Sequence, residues 1–119
     1  MSDKVIRDWG YYRVLHQVGS NVKVKELTVK PGKSLSMQRH FLRKELWFVA
    51  EGVASLYSND NLSDNFFRVG NFYPYSYLIV EDNEWHQLKN EQTTELKVIE
   101  IQYGKDCIEE DIERFEVTE

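Results

Sequence analysis

Short runs of β-branched, aliphatic and aromatic residues follow one another along the chain, and turn-forming residues separate them. Their spacing of roughly 8–12 residues is typical of a β-sandwich or β-barrel. No long stretch repeats apolar residues at the 3.6-residue period of an amphipathic helix. The length of 119 residues suits one domain. The pattern therefore predicts an all-β fold and a single domain over residues 1–119.

The individual strands can be assigned from the same pattern. They cover Tyr11–His16, Val22–Lys30, Ser34–Gln38, Leu46–Ala50, Val53–Ser58, Phe66–Val69, Tyr77–Val80, Trp85–Lys89 and Glu95–Tyr103. Within Val22–Lys30 the apolar residues change phase halfway, which predicts a β-bulge near Glu26. In the C-terminal tail, the spacing of Ile108, Ile112 and Phe115 permits either a short helix or a further strand.

Charge and composition exclude several classes of partner. The net charge is −5, and no basic stripe with interleaved aromatic residues is present, so we expect no nucleic-acid partner. Residues 1–10 hold no apolar run, and the longest such run, Leu46–Ala50, is far too short to span a membrane. Cys107 is the only cysteine, so no internal disulfide forms and a reducing, cytoplasmic location is expected.

One polar segment interrupts the apolar pattern. In an extended backbone Gln38 and His40 lie on one face, and Glu45 follows on the next strand. Such polar groups are costly inside a β core unless something binds them, and a divalent metal would satisfy them together. His86, after a later predicted strand, would add a second imidazole. Imidazole and oxygen donors suit Zn, Mn, Fe, Co or Ni.

The spacing of these residues resembles the two metal-binding motifs of the cupins. Gln38-Arg39-His40, four further residues and then Glu45 resemble the first motif, and His86, three residues and Asn90 resemble the second. The chain more closely resembles the mannose-6-phosphate isomerase domain of bifunctional type II isomerase/guanylyltransferases. Further matching positions are Trp9–Tyr12, Leu27–Lys33, Leu35, Ser36, Arg43, Trp47, Ile99–Gln102, Gly104 and Glu109–Arg114.

The resemblance implies a specific fold and chemistry. The fold would be the cupin double-stranded β-helix, a jelly-roll barrel, and cupins commonly form homodimers. The activity would be aldose–ketose isomerisation of a small sugar phosphate. Arg43 lies in the family's active-site motif and would be catalytic. The implied metal ligands are Gln38, His40, Glu45 and His86.

Two cations are candidates for contacts with the substrate. Arg43 is expected in a turn between strands, where its guanidinium would bind an anion beside the metal. The alternative is a surface ion pair with Glu45 or Glu51, which would contribute little. Lys33 follows a turn and is a candidate phosphate contact, with a solvated surface charge as the alternative.

The sequence also departs from the family at two positions that bear on catalysis. Leucines stand at positions 42 and 46, where the family usually carries histidines. These leucines would make the pocket more apolar, which favours a second hypothesis, a non-catalytic cupin that binds metal and sugar. A different metal-dependent activity in the same barrel is a third possibility. The residues identify no catalytic base.

Overall fold

The computed structural model describes residues 3–60 and 65–115. All the regular secondary structure in these residues is β-strand. The first five are β1 (Val5–Arg7), β2 (Gly10–Val18), β3 (Val22–Val29), β4 (Gln38–Arg39) and β5 (Arg43–Glu51). The others are β6 (Ala54–Ser58), β7 (Phe67–Phe72), β8 (Tyr77–Val80), β9 (Gln87–Lys89), β10 (Leu96–Gly104) and β11 (Glu113–Arg114). The predicted all-β class is confirmed.

Three antiparallel sheets build the molecule. The largest has six strands in the order β1-β2-β3-β10-β5-β8, the second has the order β7-β6-β9, and β4 pairs with β11. Sequence neighbours are often not sheet neighbours, since β10 lies between β3 and β5. These crossovers bring residues from distant parts of the chain to one end of the interior.

The apolar core lies between the six-stranded and the three-stranded sheet. The larger sheet contributes the buried residues Leu27, Val29, Trp47, Val49, Val80, Leu96 and Val98. The smaller sheet contributes Ala54, Leu56 and Leu88. Full burial of one such large apolar side chain stabilises a fold by about 1.5–3 kcal/mol, so this contact holds the two sheets together.

The interior changes from apolar to charged along β3. Its buried, inward-facing residues are, in order, Lys23, Lys25, Leu27 and Val29. The β-bulge predicted near Glu26 is therefore wrong, because β3 pairs with β10 without interruption. The change of apolar phase in the sequence marks the point where lysines replace aliphatic residues on the inward face. The irregularity lies in β2, where the pairing with β3 shifts between Val14 and His16.

Other strands differ from the predictions in their lengths. The predicted strand Ser34–Gln38 is reduced to β4 and an isolated bridge between Ser34 and Lys89. As far as residue 115, the tail forms the two-residue strand β11 and no helix. β1 was not predicted. The described residues contain no helix with the length and apolarity needed to cross a membrane.

Candidate functional site

A cavity of about 380 Å³ opens at the charged end of the interior. Inward-facing residues of three adjacent strands form one wall: Lys25 of β3, Arg43 and Glu45 of β5, and Glu100 and Gln102 of β10. Trp9, Tyr12, Gln38 and His40 also line the cavity. The cavity therefore combines aromatic surface with several charged groups that are otherwise expensive to bury.

Three potential metal donors converge beside this cavity. His40, Glu45 and His86 are all buried, and each offers a ligand atom within 4.8 Å of the others. His40 Nε2 lies 3.2 Å from Glu45 Oε2, and His86 Nε2 lies 3.7 Å from Glu45 Oε1. Three of the four predicted ligands thus come together, from two loops and one strand.

The fourth predicted ligand, Gln38, is tied to this group through the backbone. Gln38 and His86 exchange two backbone hydrogen bonds of 2.9 Å, which form an isolated antiparallel bridge. Directly opposed residues in such a bridge project to the same side. Gln38 also lines the cavity that His40 and Glu45 line.

Backbone carbonyls orient both imidazoles. His40 Nδ1 donates to the carbonyl of Asp111 at 2.7 Å, and His86 Nδ1 donates to the carbonyl of Glu84 at 2.9 Å. Each ring therefore directs its Nε2 towards Glu45. Among the described residues His86 Nε2 has no hydrogen-bond partner although it is buried. A cation would be stabilised between such a nitrogen and the Glu45 carboxylate. Metal-ligating histidines usually donate a hydrogen bond from their other ring nitrogen, as both rings do here.

The environment keeps His40 neutral. Burial, the Arg43 guanidinium and the neighbouring His86 ring lower the pKa of His40 to about 4. A neutral imidazole is the form that binds a metal, so His40 is in its ligating form at neutral pH.

Arg43 is buried and is not in a turn. The prediction of a turn at Arg43 is wrong, because Arg43 is the first residue of β5. Its side chain lies on the same inward face of the strand as that of Glu45, two residues later. Its Nε and Nη2 each lie 2.9 Å from Glu45 Oε2, and its Nη1 donates to the carbonyl of Ile108 at 3.2 Å. Nη2 also lies 3.3 Å from His40 Nε2. The predicted pair with Glu45 exists, but it is part of the cavity wall and not of the surface.

A second buried carboxylate lies next to Glu45. The indole Nε1 of Trp47 donates to both Glu45 Oε1 and Glu100 Oε2, at 3.1 Å each. Gln102 Nε2 donates to Glu100 Oε1 at 2.6 Å. Burial, reinforced by the charge of Glu45, raises the pKa of Glu100. Glu100 is thus a cavity-lining carboxylate with a raised proton affinity.

Three other predicted positions lie away from the cavity. Lys33 is exposed and is not among the residues that line it. Leu46 projects from the outer face of β5, opposite in phase to Arg43 and Glu45, and Leu42 is partly exposed beside a separate surface groove. The expectation that the leucines make the pocket more apolar is therefore wrong, since neither side chain reaches it.

Some residues of the site were missed in the sequence. Lys25 and Glu100 were detectable in principle, because each is a charged residue at an inward-facing position of an otherwise apolar strand. Asp111 had no such signal. Its carboxylate accepts the backbone N–H groups of Phe41 and Leu42 at 2.9 Å, and its carbonyl orients His40.

Comparison with known proteins gives consistent sequence matches. A family model described as mannose-6-phosphate isomerase C-terminal matches residues 1–117. A mannose-1-phosphate guanylyltransferase from Salmonella muenchen is 37% identical over 113 residues, which are 95% of this chain and 22% of that protein. The chain thus spans about a fifth of the length of that curated relative.

Solved structures show the same fold at low sequence identity. The capsular polysaccharide assembling protein CapF from Staphylococcus aureus matches with a TM-score of 0.78 and 15% identity, over 96% of this chain and 32% of that one. A sugar phosphate isomerase of the cupin superfamily from Silicibacter pomeroyi matches with a TM-score of 0.65 and 17% identity, over 78% and 58% of the two chains. These likenesses confirm the predicted cupin fold, the double-stranded β-helix.

Proposed function

Because the chain belongs to the mannose-6-phosphate isomerase C-terminal family, we propose that it interconverts an aldose phosphate and a ketose phosphate with a bound divalent metal. Its relatedness to sugar-phosphate proteins rests on sequence, and the isomerase activity is the proposal. The observation that carries it is the convergence of His40, Glu45 and His86 beside a cavity lined by charged groups.

We propose that the metal is held by Gln38, His40, Glu45 and His86. The orphaned Nε2 of His86 and the position of His40 Nε2, 3.2 Å from Glu45 Oε2, support this assignment. Zn, Mn, Fe, Co and Ni all suit two imidazoles with two oxygen donors. A divalent ion at this point supplies Lewis-acid polarisation of a carbonyl oxygen.

The chain's own residues would carry out the proton transfer. Isomerisation moves a proton from C2 of the aldose to C1 and a second proton from O2 to O1, so that the carbonyl moves from C1 to C2. Glu100 is our candidate for the base at C2, because it lines the cavity and is not one of the proposed metal ligands. Its raised pKa brings it closer to the value at which a group can both accept and return a proton.

Arg43 would stabilise negative charge that develops on the substrate oxygens. Its guanidinium lines the cavity and is held by Glu45 and by the Ile108 carbonyl, so it is preorganised before substrate binds. Preorganised charge of this kind is usually the largest contribution to rate acceleration. Lys33, exposed outside the cavity, stays a predicted phosphate contact without a structural argument in its favour.

The direct test is an isomerase assay with mannose 6-phosphate and fructose 6-phosphate. The protein is treated with chelator, dialysed and reconstituted with each candidate metal. We expect turnover only after reconstitution, and we expect Glu100→Gln to lower kcat by about 10²–10⁴-fold while the metal content stays unchanged. Binding of sugar phosphate without turnover by any metal form would move the assignment to a non-catalytic binding module.

A further inference from the structure

Two lysines are buried in the interior with a single carboxylate for both. Lys23 and Lys25 are 8% and 5% exposed, and both face inward from β3. Glu109 Oε1 lies 2.6 Å from Lys25 Nζ and 3.4 Å from Lys23 Nζ. Among the described residues no second acidic group lies within ion-pair distance of either lysine, although Glu100 faces Lys25 from β10. A buried ammonium is expensive unless an anion compensates it.

Further cations lie around the same end of the cavity. The ring of Tyr12 has Lys25 Nζ at 4.2 Å and the Arg7 guanidinium at 5.6 Å from its centroid, and all three residues line the cavity. The aromatic ring therefore brings the two cations to one place. It also offers an apolar surface beside them, as carbohydrate sites commonly do through aromatic side chains.

Arg114, on the C-terminal strand, is a cation at the metal end of the cavity and not one of this group. It lines the cavity and pairs in register with Gln38, so it lies directly beside the proposed metal ligands. The neighbouring Glu113 is engaged with Arg39 at 2.6 Å. In the part of the chain that the structure describes, no carboxylate pairs with Arg114.

The distance between Lys25 and the metal donor Glu45 fits an elongated substrate. Lys25 on β3 is opposite Glu100 on β10, and β10 in turn pairs with β5, which carries Glu45. Two strand spacings, about 10 Å, therefore separate the backbones of β3 and β5. A hexose phosphate in its open-chain form carries its carbonyl and its phosphate at opposite ends of the carbon chain.

We propose that Lys25 and Arg7 bind the phosphomonoester group of the substrate beside the Tyr12 ring, with Glu109 as the counter-ion that the phosphate replaces at Lys25. This subsite rests on the proposed function for the identity of the sugar, but phosphate binding can be measured without turnover. Arg43 does not serve this end of the cavity, because its guanidinium is already engaged by Glu45, the Ile108 carbonyl and His40.

Isothermal titration calorimetry of the full chain with inorganic phosphate, and with mannose 6-phosphate against mannose, tests the subsite. We expect Lys25→Gln and Arg7→Gln to weaken binding of both phosphate compounds by about 10- to 100-fold, because each loses a charged hydrogen-bond donor. Glu109→Gln should have the opposite effect and tighten phosphate binding, since it removes the competing carboxylate. Lys30→Gln, an exposed change at the end of the same strand, is the matched control and should bind like wild type.

The outcomes separate this subsite from the isomerase proposal. Because Lys25 is buried, Lys25→Gln could unfold, but Arg7 is exposed and its variant tests the subsite independently. Unchanged phosphate affinity in Arg7→Gln and Glu109→Gln, or a loss confined to Lys33→Gln, overturns the subsite even if the wild type is an active isomerase. Weakened binding in the first and tightened binding in the second support it even if no turnover is found.

Discussion

At the scale of single residues, the imidazoles of the candidate metal centre are oriented at their Nδ1 atoms by main-chain carbonyls. His40 donates to the Asp111 carbonyl and His86 to the Glu84 carbonyl. The loop before His86 adopts this geometry with Asn83 at a φ of 64°, a conformation that Asn tolerates, and its N–H donates to the His40 carbonyl at 2.7 Å. The two halves of the centre are thus connected through the backbone.

Arg43→Gln separates the charge of the guanidinium from metal binding. The change removes the cation that lies 2.9 Å from Glu45, and loss of one partner of a buried ion pair should lower the free energy of unfolding by roughly 3 kcal/mol. We expect turnover to fall by about 10²–10³-fold and the metal content to stay at the wild-type value, because Arg43 donates no ligand atom. Urea unfolding and elemental analysis measure both effects. An Arg43→Gln protein that is as stable as wild type would show that the pair contributes no net stability.

The depressed pKa of His40 predicts an acid sensitivity of the metal-free protein. The pKa of His40 is about 4 in the folded state and about 6.5 in the unfolded chain, so only the unfolded state gains a proton as the pH falls between these values. The stability of the chelator-treated protein should therefore decrease from pH 6.5 to pH 4, by up to roughly 3 kcal/mol from this residue.

Urea unfolding of wild type and His40→Gln at several pH values measures this contribution as the difference between the two proteins. Both retain Glu100, whose raised pKa acts in the opposite direction, so the comparison isolates His40. A difference that does not vary with pH would contradict the assignment.

At the scale of strands and loops, the sequence was sufficient to predict a strand where its inward-facing residues belong to the apolar core. Tyr77–Val80 was predicted at its observed bounds, and Leu46–Ala50 lies inside the longer strand β5. Prediction failed where inward-facing residues are charged. Lys23 and Lys25 interrupt the apolar alternation of β3, and the sequence predicted a turn at Arg43, which is the first residue of β5. Residues that line a cavity face inward and are nevertheless charged. The residues that form the site therefore interrupt the alternation from which strands are predicted.

The candidate metal donors could be predicted because their order and spacing are local signals. Their support could not be, because it comes from a segment about 70 residues away in sequence, through Asp111. The C-terminal segment crosses the loop between β4 and β5. There Ile108 accepts a hydrogen bond from Arg43, Glu109 pairs with Lys25, and Asp111 accepts a hydrogen bond from the loop that carries His40. The sequence of this segment has no periodic pattern from which these contacts could be predicted.

Asp111→Ala tests this segment as an element of the metal centre. The change leaves the N–H groups of Phe41 and Leu42 without their acceptors, which should cost about 1–3 kcal/mol of stability for each buried donor. Because the loop also carries His40, metal affinity should fall by about 10- to 100-fold. Glu110→Ala is the matched control, since Glu110 is the exposed neighbour. Equal metal affinity in Asp111→Ala and Glu110→Ala would show that the segment does not position His40.

At the scale of the whole molecule, the two faces of the six-stranded sheet have opposite roles. The inner face carries the core and the cavity. The outer face of β5, β8 and β10 carries a contiguous apolar surface, because the registers align Tyr77 with Phe48 and Ile99, and Ile79 with Leu46 and Ile101. Tyr77 is 64% exposed and Ile79 is 46% exposed at the edge of the sheet. Exposed apolar patches of this kind commonly mark interfaces.

We expect this outer face to be the interface of the predicted homodimer. Tyr77→Lys and Ile79→Lys should shift the protein towards a monomer, because each would place a charge in an apolar contact. Val69→Lys, an equally exposed position on the other sheet, is the control and should not change the oligomeric state. Size-exclusion chromatography with light scattering measures the mass. A wild-type protein that is monomeric at all accessible concentrations would contradict the prediction.

The measurement that tests the central claim most directly is a metal titration of the chelator-treated protein and of variants at each of its three histidines. Calorimetry with Zn and with Mn, checked by elemental analysis, gives stoichiometry and affinity. We predict one ion per chain in wild type and in His16→Gln, because His16 lies exposed on β2. His40→Gln and His86→Gln should lose the ion or bind it far more weakly. Equal binding by all four proteins, or no binding by wild type, would contradict the metal centre.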